Sequence, residues 1–138
     1  MPPTINSAST DPVEEVLRII GGGVDHVFDF VGVRSVTEQG LRMLGRGGGL
    51  YLVGIGGMDA GVEMATMPAV LNQHRVQAVS MGSSNLKRDL PMYAAFYLQG
   101  RMNLDDPVSK EIGLDEINEG YESLKDGNLA RVVITNLS

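Results

Sequence analysis

The sequence predicts an α/β fold. It would be an incomplete doubly wound parallel sheet, holding strands 3 to 6 of that arrangement, followed by an α+β C-terminal segment. Three observations carry this reading. Two apolar, β-rich runs, Val24–Val31 and Leu50–Val53, each end in glycine and suit strands buried on both faces. A stretch of helical period joins them, and connections this short imply parallel pairing through right-handed crossovers. Past Gly82 the order changes to helix, strand, helix, strand, with more charge. The boundary is expected there, with residues 1–81 forming the sheet domain and residues 82–138 a second segment.

Each element has a local cause. Thr4–Asn6 is a short extended piece, placed as strand 3. Ser9-Thr10-Asp11-Pro12 starts a helix with a hydroxyl cap and proline in the first turn. Val13, Val16, Leu17 and Ile20 keep helical spacing until Gly21-Gly22-Gly23 stops it. Val24–Val31 is strand 4. Arg34–Leu44 returns to helical period, Gly45–Gly49 breaks it, and Leu50–Val53 follows as a strand ending in Gly54-Ile55-Gly56-Gly57. Residues 58–73 are less regular, with Pro68 opening a short helical turn through Val70 and Leu71. Arg75–Met81 reads as a strand, and Gly82-Ser83-Ser84-Asn85 supplies a turn and cap. A helix then runs over Leu86–Gln99, a brief strand over Val108–Ile112, a helix over Leu114–Lys125 and a last strand over Val132–Thr135.

Composition narrows the function. The 138 residues fit one modest domain, and 43% hydrophobic with 20% charged residues is ordinary for a globular chain. A net charge of −6 with no Lys/Arg stripe argues against nucleic acid and anionic membranes. No apolar run approaches the ~20 residues of a membrane span, and the N-terminus lacks the pattern of a signal peptide, so a cytoplasmic location is expected. Zero cysteines exclude disulfides and thiolate zinc sites within this sequence. His26 and His74 stand apart without Asp, Glu or His at metal-site spacing, so a structural or surface role is expected of each. Asp25 and the Glu14-Glu15 pair read as solvated, and Asp29, alternating with apolar residues, as a local cap or pair.

The glycines closing the two apolar strands are Gly32 and Gly54-Ile55-Gly56. In an open parallel sheet, ligands bind beyond the carboxyl ends of the strands, and glycine there admits a flat ring or a phosphate close to the backbone. Taken singly, each glycine equally makes a tight strand-to-helix turn; in order and spacing they point to a cofactor cleft. This is the pattern of the second half of a dinucleotide-binding fold. The Gly-x-Gly-x-x-Gly turn and the acidic residue of the first half have no room upstream of Val24. Arg131, just before the final strand, offers a guanidinium to a phosphate, or is simply a surface arginine.

From Ile5 onward the sequence resembles the C-terminal part of the zinc-dependent, medium-chain alcohol dehydrogenases. The resemblance rests on Gly-Val-Asp-His-Val-Phe-Asp-Phe-Val-Gly at 23–32 and on Leu52-Val53-Gly54-Ile55. Further support comes from Met81-Gly82-Ser83 with Arg88-Asp89-Leu90-Pro91, from the segment beginning Leu114-Asp115-Glu116-Ile117, and from the Ala130-Arg131-Val132-Val133-Ile134 ending. It implies a Rossmann-like sheet and NAD or NADP as cofactor. Val31 and Gly32 would lie beside the adenosine half. Val53, Gly54 and Ile55 would line the nicotinamide, the backbone of Val79 and Met81 would meet its carboxamide, and Arg131 would reach the pyrophosphate. The resemblance also implies a homodimer joined through the Arg75–Met81 strand, and residues from Gly82 on belonging to the catalytic domain.

The departures shape the expected function. No catalytic residue, no zinc ligand and no phosphate-binding turn of the family is found in this sequence, and at Val33 many relatives carry a cofactor-holding arginine. The chain is therefore expected to be a fragment of an NAD(P)- and zinc-dependent alcohol dehydrogenase that binds the dinucleotide weakly and lacks turnover alone. The alternative is a free-standing nucleotide-binding or dimerisation module without catalysis.

Overall fold

The computed structural model describes residues 3–57, 61–125 and 127–137. They form two compact units, residues 1–84 and 85–138. Positions 58–60 of the stretch expected to be irregular lie outside the described residues.

The first unit begins with a local turn. Thr4–Asn6 pairs with no strand; instead the Asn6 carbonyl accepts from the Ser9 N–H at 3.1 Å and its side-chain oxygen from the Ala8 N–H at 3.0 Å. The expectation of a strand there is corrected. With no neighbouring strand to pair with, an asparagine folds the backbone onto itself. Helix α1 (Pro12–Ile20) is capped by the Asp11 carboxylate, which accepts from Val13 and Glu14 at 2.8 and 3.2 Å, so a carboxylate and not a hydroxyl starts it. Gly21, left-handed at φ 73°, ends it as the glycine run predicts.

Strands β1 (Val24–Asp29), β2 (Leu44–Leu52) and β3 (Arg75–Ala78) form a parallel sheet in the order β1-β2-β3. Helix α2 (Arg34–Met43) links β1 to β2 and packs on both, and Leu50 beneath it is fully buried. Gly45–Gly49 does not break the chain as expected; it is the first half of β2. The register slips there, since Val24 pairs with Leu44 but His26 already pairs with Gly49. Small residues let this bulged start lie against β1 without side-chain conflict. After β2 come the short helix α3 (Thr66–Leu71) and then β3, which ends at Ala78 because Met81–Ser83 turns into a 3-10 helix.

Helix α2 covers one face of this sheet. On the other, the Phe28 and Tyr51 rings stack at 4.8 Å, His26 lies 5.7 Å from Tyr51, and Phe28 remains 57% exposed. The expectation that β1 is buried on both faces is therefore corrected: α2 packs on β1 and β2, α1 packs on α2, and Phe28 stays exposed.

The second unit contains helix α4 (Leu86–Leu98) and a two-stranded parallel sheet, β4 (Lys110–Gly113) beside β5 (Val132–Asn136). Asn85 caps α4 by position, but its side chain makes no capping bond. The Asp89 carboxylate reaches back to the Asn85 N–H at 2.8 Å instead. Ser109 and Lys110 both donate to the Arg131 carbonyl, which fixes where β4 begins, two residues later than Val108. Between the strands, Leu114–Glu116 forms a 3-10 turn, and the regular helix α5 covers Ile117–Ser123. Ile112 is the buried apolar centre of this unit among the described residues. Among the described residues no helix is long and apolar enough to cross a membrane.

Candidate functional site

The carboxyl ends of β1 and β2 are tied together by one residue. Asp29 closes β1, and its side chain is buried at 4% exposure. One carboxylate oxygen accepts from the N–H groups of Val31 and Gly32, at 2.9 and 3.0 Å. The other takes the Thr37 hydroxyl of α2 at 2.5 Å. The Asp29 backbone carbonyl accepts from Val53 and Gly54 at 2.9 and 2.8 Å. Burial pushes the Asp29 carboxyl up, but the Thr37 hydroxyl and the Gly32 and Val31 N–H groups outweigh it. The result lies below the ordinary carboxylate value. The sequence marked Asp29 as a local cap or pair; it did not disclose that the residue joins two turns.

Those turns touch backbone to backbone. A Cβ placed on Gly54 would lie 2.5 Å from the Gly32 nitrogen and from the Phe30 carbonyl carbon. One placed on Gly32, itself left-handed at φ 73°, would lie 2.7 Å from the Gly56 nitrogen. The two glycines are thus required by each other before any ligand is considered. The arrangement also bears on one of the two chemistries that glycine could serve. The N–H groups of Val31, Gly32, Val53 and Gly54 all point to Asp29, beside a buried negative charge. Those four N–H groups are not available to a phosphate.

Beyond the turns lies a small cleft of about 120 Å³, lined by Gly32, Arg34, Thr37, Gly54 and Gly57 among others. Ile55 projects beside it with 94% of its surface exposed, and Val31 with 59%. A larger open groove of about 930 Å³ runs between α2 and α3, past Glu38, Arg42, Glu63 and His74. It contains none of the residues expected to meet a cofactor.

The remaining candidates are placed as follows. Val79 is half-buried and donates to the Leu52 carbonyl at 2.9 Å, one step beyond β3. Met81 opens the following turn at φ 50° and is 80% exposed. Both stand in the first unit with Val31, Gly32, Val53, Gly54 and Ile55, whereas Arg131 belongs to the second. Arg131 is exposed, and among the described residues its guanidinium has no carboxylate partner. Val33 caps α2 by its backbone alone, and the neighbouring Arg34 is engaged by Glu38 and Glu63, each at 2.8 Å. His26 is exposed with Tyr51 at 3.4 Å, and His74 Nε2 is buried without a hydrogen-bond partner. Among the described residues no group of three or more His, Cys, Asp or Glu could hold a metal ion.

The sequence matches the family described as zinc-binding dehydrogenase over residues 1–97. The chain belongs to this family. It is 32% identical over 123 residues to the geraniol dehydrogenase of Carpoglyphus lactis, covering 89% of this chain and 32% of that protein. It is 31% identical over 134 residues to the S-(hydroxymethyl)glutathione dehydrogenase of Komagataella pastoris, covering 96% of this chain and 35% of that one. The benzyl alcohol dehydrogenase of Acinetobacter calcoaceticus has the same fold over 96% of this chain and 36% of its own, with a TM-score of 0.90 and 26% identity. The chain therefore spans about a third of the length of these relatives. It corresponds to the C-terminal part of a zinc-dependent medium-chain alcohol dehydrogenase, as its motifs imply. The family depends on zinc, yet the described residues of this chain do not fit a zinc ion.

Proposed function

We propose that this chain supplies the ring-facing half of the dinucleotide cleft, together with the C-terminal catalytic-domain segment, of an NAD(P)-dependent alcohol dehydrogenase. Residues 1–81 form the cofactor part and residues 82–138 the catalytic-domain part. The observation that carries the reading is the pair of glycine turns held by Asp29 at the carboxyl ends of adjacent parallel strands, where such sheets bind ligands.

A bound nicotinamide dinucleotide supplies the hydride acceptor for oxidation of an alcohol to its aldehyde. This chain's contribution is to seat it. Val31 and Gly32 flank the adenosine half, and Val53, Gly54 and Ile55 form an apolar wall for the nicotinamide. Val79 and Met81 offer backbone groups to its carboxamide, and Arg131 is the cation for the pyrophosphate. That last role accords with the N–H groups of Val31, Gly32, Val53 and Gly54 all being engaged by Asp29. No catalytic step is assigned to a residue of this chain, and none is routed through zinc. The chain also pairs with a second copy through the edge beginning at Arg75.

Titration of the 138-residue chain with NADH, followed by backbone amide NMR, tests the cleft. Shifts are expected at Val31, Gly32, Val53, Gly54, Ile55, Val79 and Met81. The dissociation constant is expected at about millimolar or weaker, because the helix N-terminus that holds the pyrophosphate in the complete fold has no counterpart here. Shifts confined to the groove between α2 and α3, or micromolar affinity, would contradict the reading.

A further inference from the structure

Two turns that meet different ends of one ligand need not move together, yet here they share a single support. The Asp29 carboxylate holds Val31 and Gly32, and its backbone carbonyl holds Val53 and Gly54. The turns have no side-chain cushion between them, since Gly32 and Gly54 meet through backbone atoms. Thr37, itself buried, fixes the carboxylate from α2.

We propose that Asp29, oriented by Thr37, is a positioning residue that couples the two turns, so that the adenosine and nicotinamide ends of a dinucleotide are accepted as one unit. The proposal rests on the cofactor reading given above. Its physical basis is close packing. A displacement of Val31–Gly32 cannot be absorbed by side-chain rotation, because the next atoms belong to the backbone of residues 54–56. Charge-assisted bonds to a buried carboxylate are strong and directional, so the support is stiff as well as shared. The Thr37 hydroxyl also lies 3.2 Å from the Val33 carbonyl beside the first turn, so the response of Val53 and Gly54, which hang on Asp29, is what reports the coupling.

The test uses the full 138-residue chain and two near-isosteric variants, Thr37→Val and Thr37→Ser, with NADH as the probe. Backbone amide NMR of Thr37→Val is expected to show displaced resonances at Val31 and Gly32, and also at Val53 and Gly54. NADH affinity read at both turns should fall together, by about tenfold. Thr37→Ser should return both the resonances and the affinity, which a general loss of packing would not do. Unchanged resonances of Val13 and Leu17 in α1 show that the variant keeps its fold. Displacement confined to Val31 and Gly32, or affinities at the two turns that change separately, would overturn the coupling alone. Absence of NADH shifts at either turn of the wild-type chain would overturn the cofactor reading and this proposal together.

Discussion

Gly54 shows how a single missing side chain can be needed twice. The sequence placed it at the end of an apolar strand, where a turn or a ligand equally explains glycine. In the folded chain the turn explanation holds, because a Cβ there would meet the backbone of Phe30, Val31 and Gly32 within 2.6 Å. Gly54→Ala is expected to destabilise the first unit by about 1–3 kcal/mol through forced backbone displacement; a denaturant midpoint equal to wild type would contradict this. Asp29 carries a pH dependence with a definite sign. Its carboxyl lies below the ordinary value of 3.8, so the stability it adds is complete above that value and is lost as pH falls through the lower folded one. In denaturant melts from about pH 6 to about pH 3, the advantage of wild type over Asp29→Asn should shrink toward the acid end. A constant or widening gap would show that the charge of Asp29 is not what stabilises it. The residue was legible as a local pair because it alternates with apolar neighbours. Its double role was not, since Val53 lies two dozen positions away.

At the scale of elements, periodicity located the helices and strands, and local hydrogen bonds moved their ends. The carboxylate of Asp11, not the hydroxyl of Ser9 or Thr10, starts α1, because it alone reaches the N–H groups of Val13 and Glu14. The Gly45–Gly49 run read as a break, for glycine has poor strand propensity. It is strand nonetheless, held by its neighbours: Gly47 donates to the Asn72 carbonyl at 2.6 Å, and the Gly47 carbonyl accepts from the Arg75 guanidinium at 2.9 Å. The edge of β3 gives a prediction of its own. Val79 donates to Leu52, so by alternation the N–H groups of Val76 and Ala78 face the opposite edge, which pairs with no strand among the described residues. An antiparallel pairing of two copies through that edge, related by a twofold axis, should therefore be abolished by Ala78→Pro. Val79→Pro would instead remove a bond inside the chain. Sedimentation should show a dimer for wild type and a monomer for Ala78→Pro; a wild-type monomer would refute the pairing.

At the scale of the whole molecule, the described residues bury few large apolar side chains. Val13, Leu44, Leu50, Ala69 and Ile112 make up the buried apolar set, while Phe28, Phe30, Val31 and Ile55 are more than half exposed. Parallel sheets are ordinarily covered on both faces, so the bare aromatic face accords with a chain that spans about a third of its relatives' length. The same incompleteness bears on chemistry. Purified chain is expected to bind no stoichiometric zinc by metal analysis and to show no alcohol-dependent reduction of NAD, since the described residues offer no metal-binding group. Steady turnover abolished by a chelator would overturn that expectation.

The sequence by itself determined the α/β class, the parallel succession of strands, the family and the glycine-closed strand ends. Each of these is written in short-range pattern: apolar runs, helical spacing and punctuation by glycine. The tertiary structure decided what those patterns do when brought together. It made Asp29 the common support of two turns, turned the N–H groups of Val31, Gly32, Val53 and Gly54 toward it, left Phe28 and Tyr51 on a face that α2 does not cover and kept Thr4–Asn6 out of the sheet. The physical reason is the same throughout. Hydrogen-bond partners and burial depend on which segments meet across the sheet, and that pairing joins residues far apart in the chain.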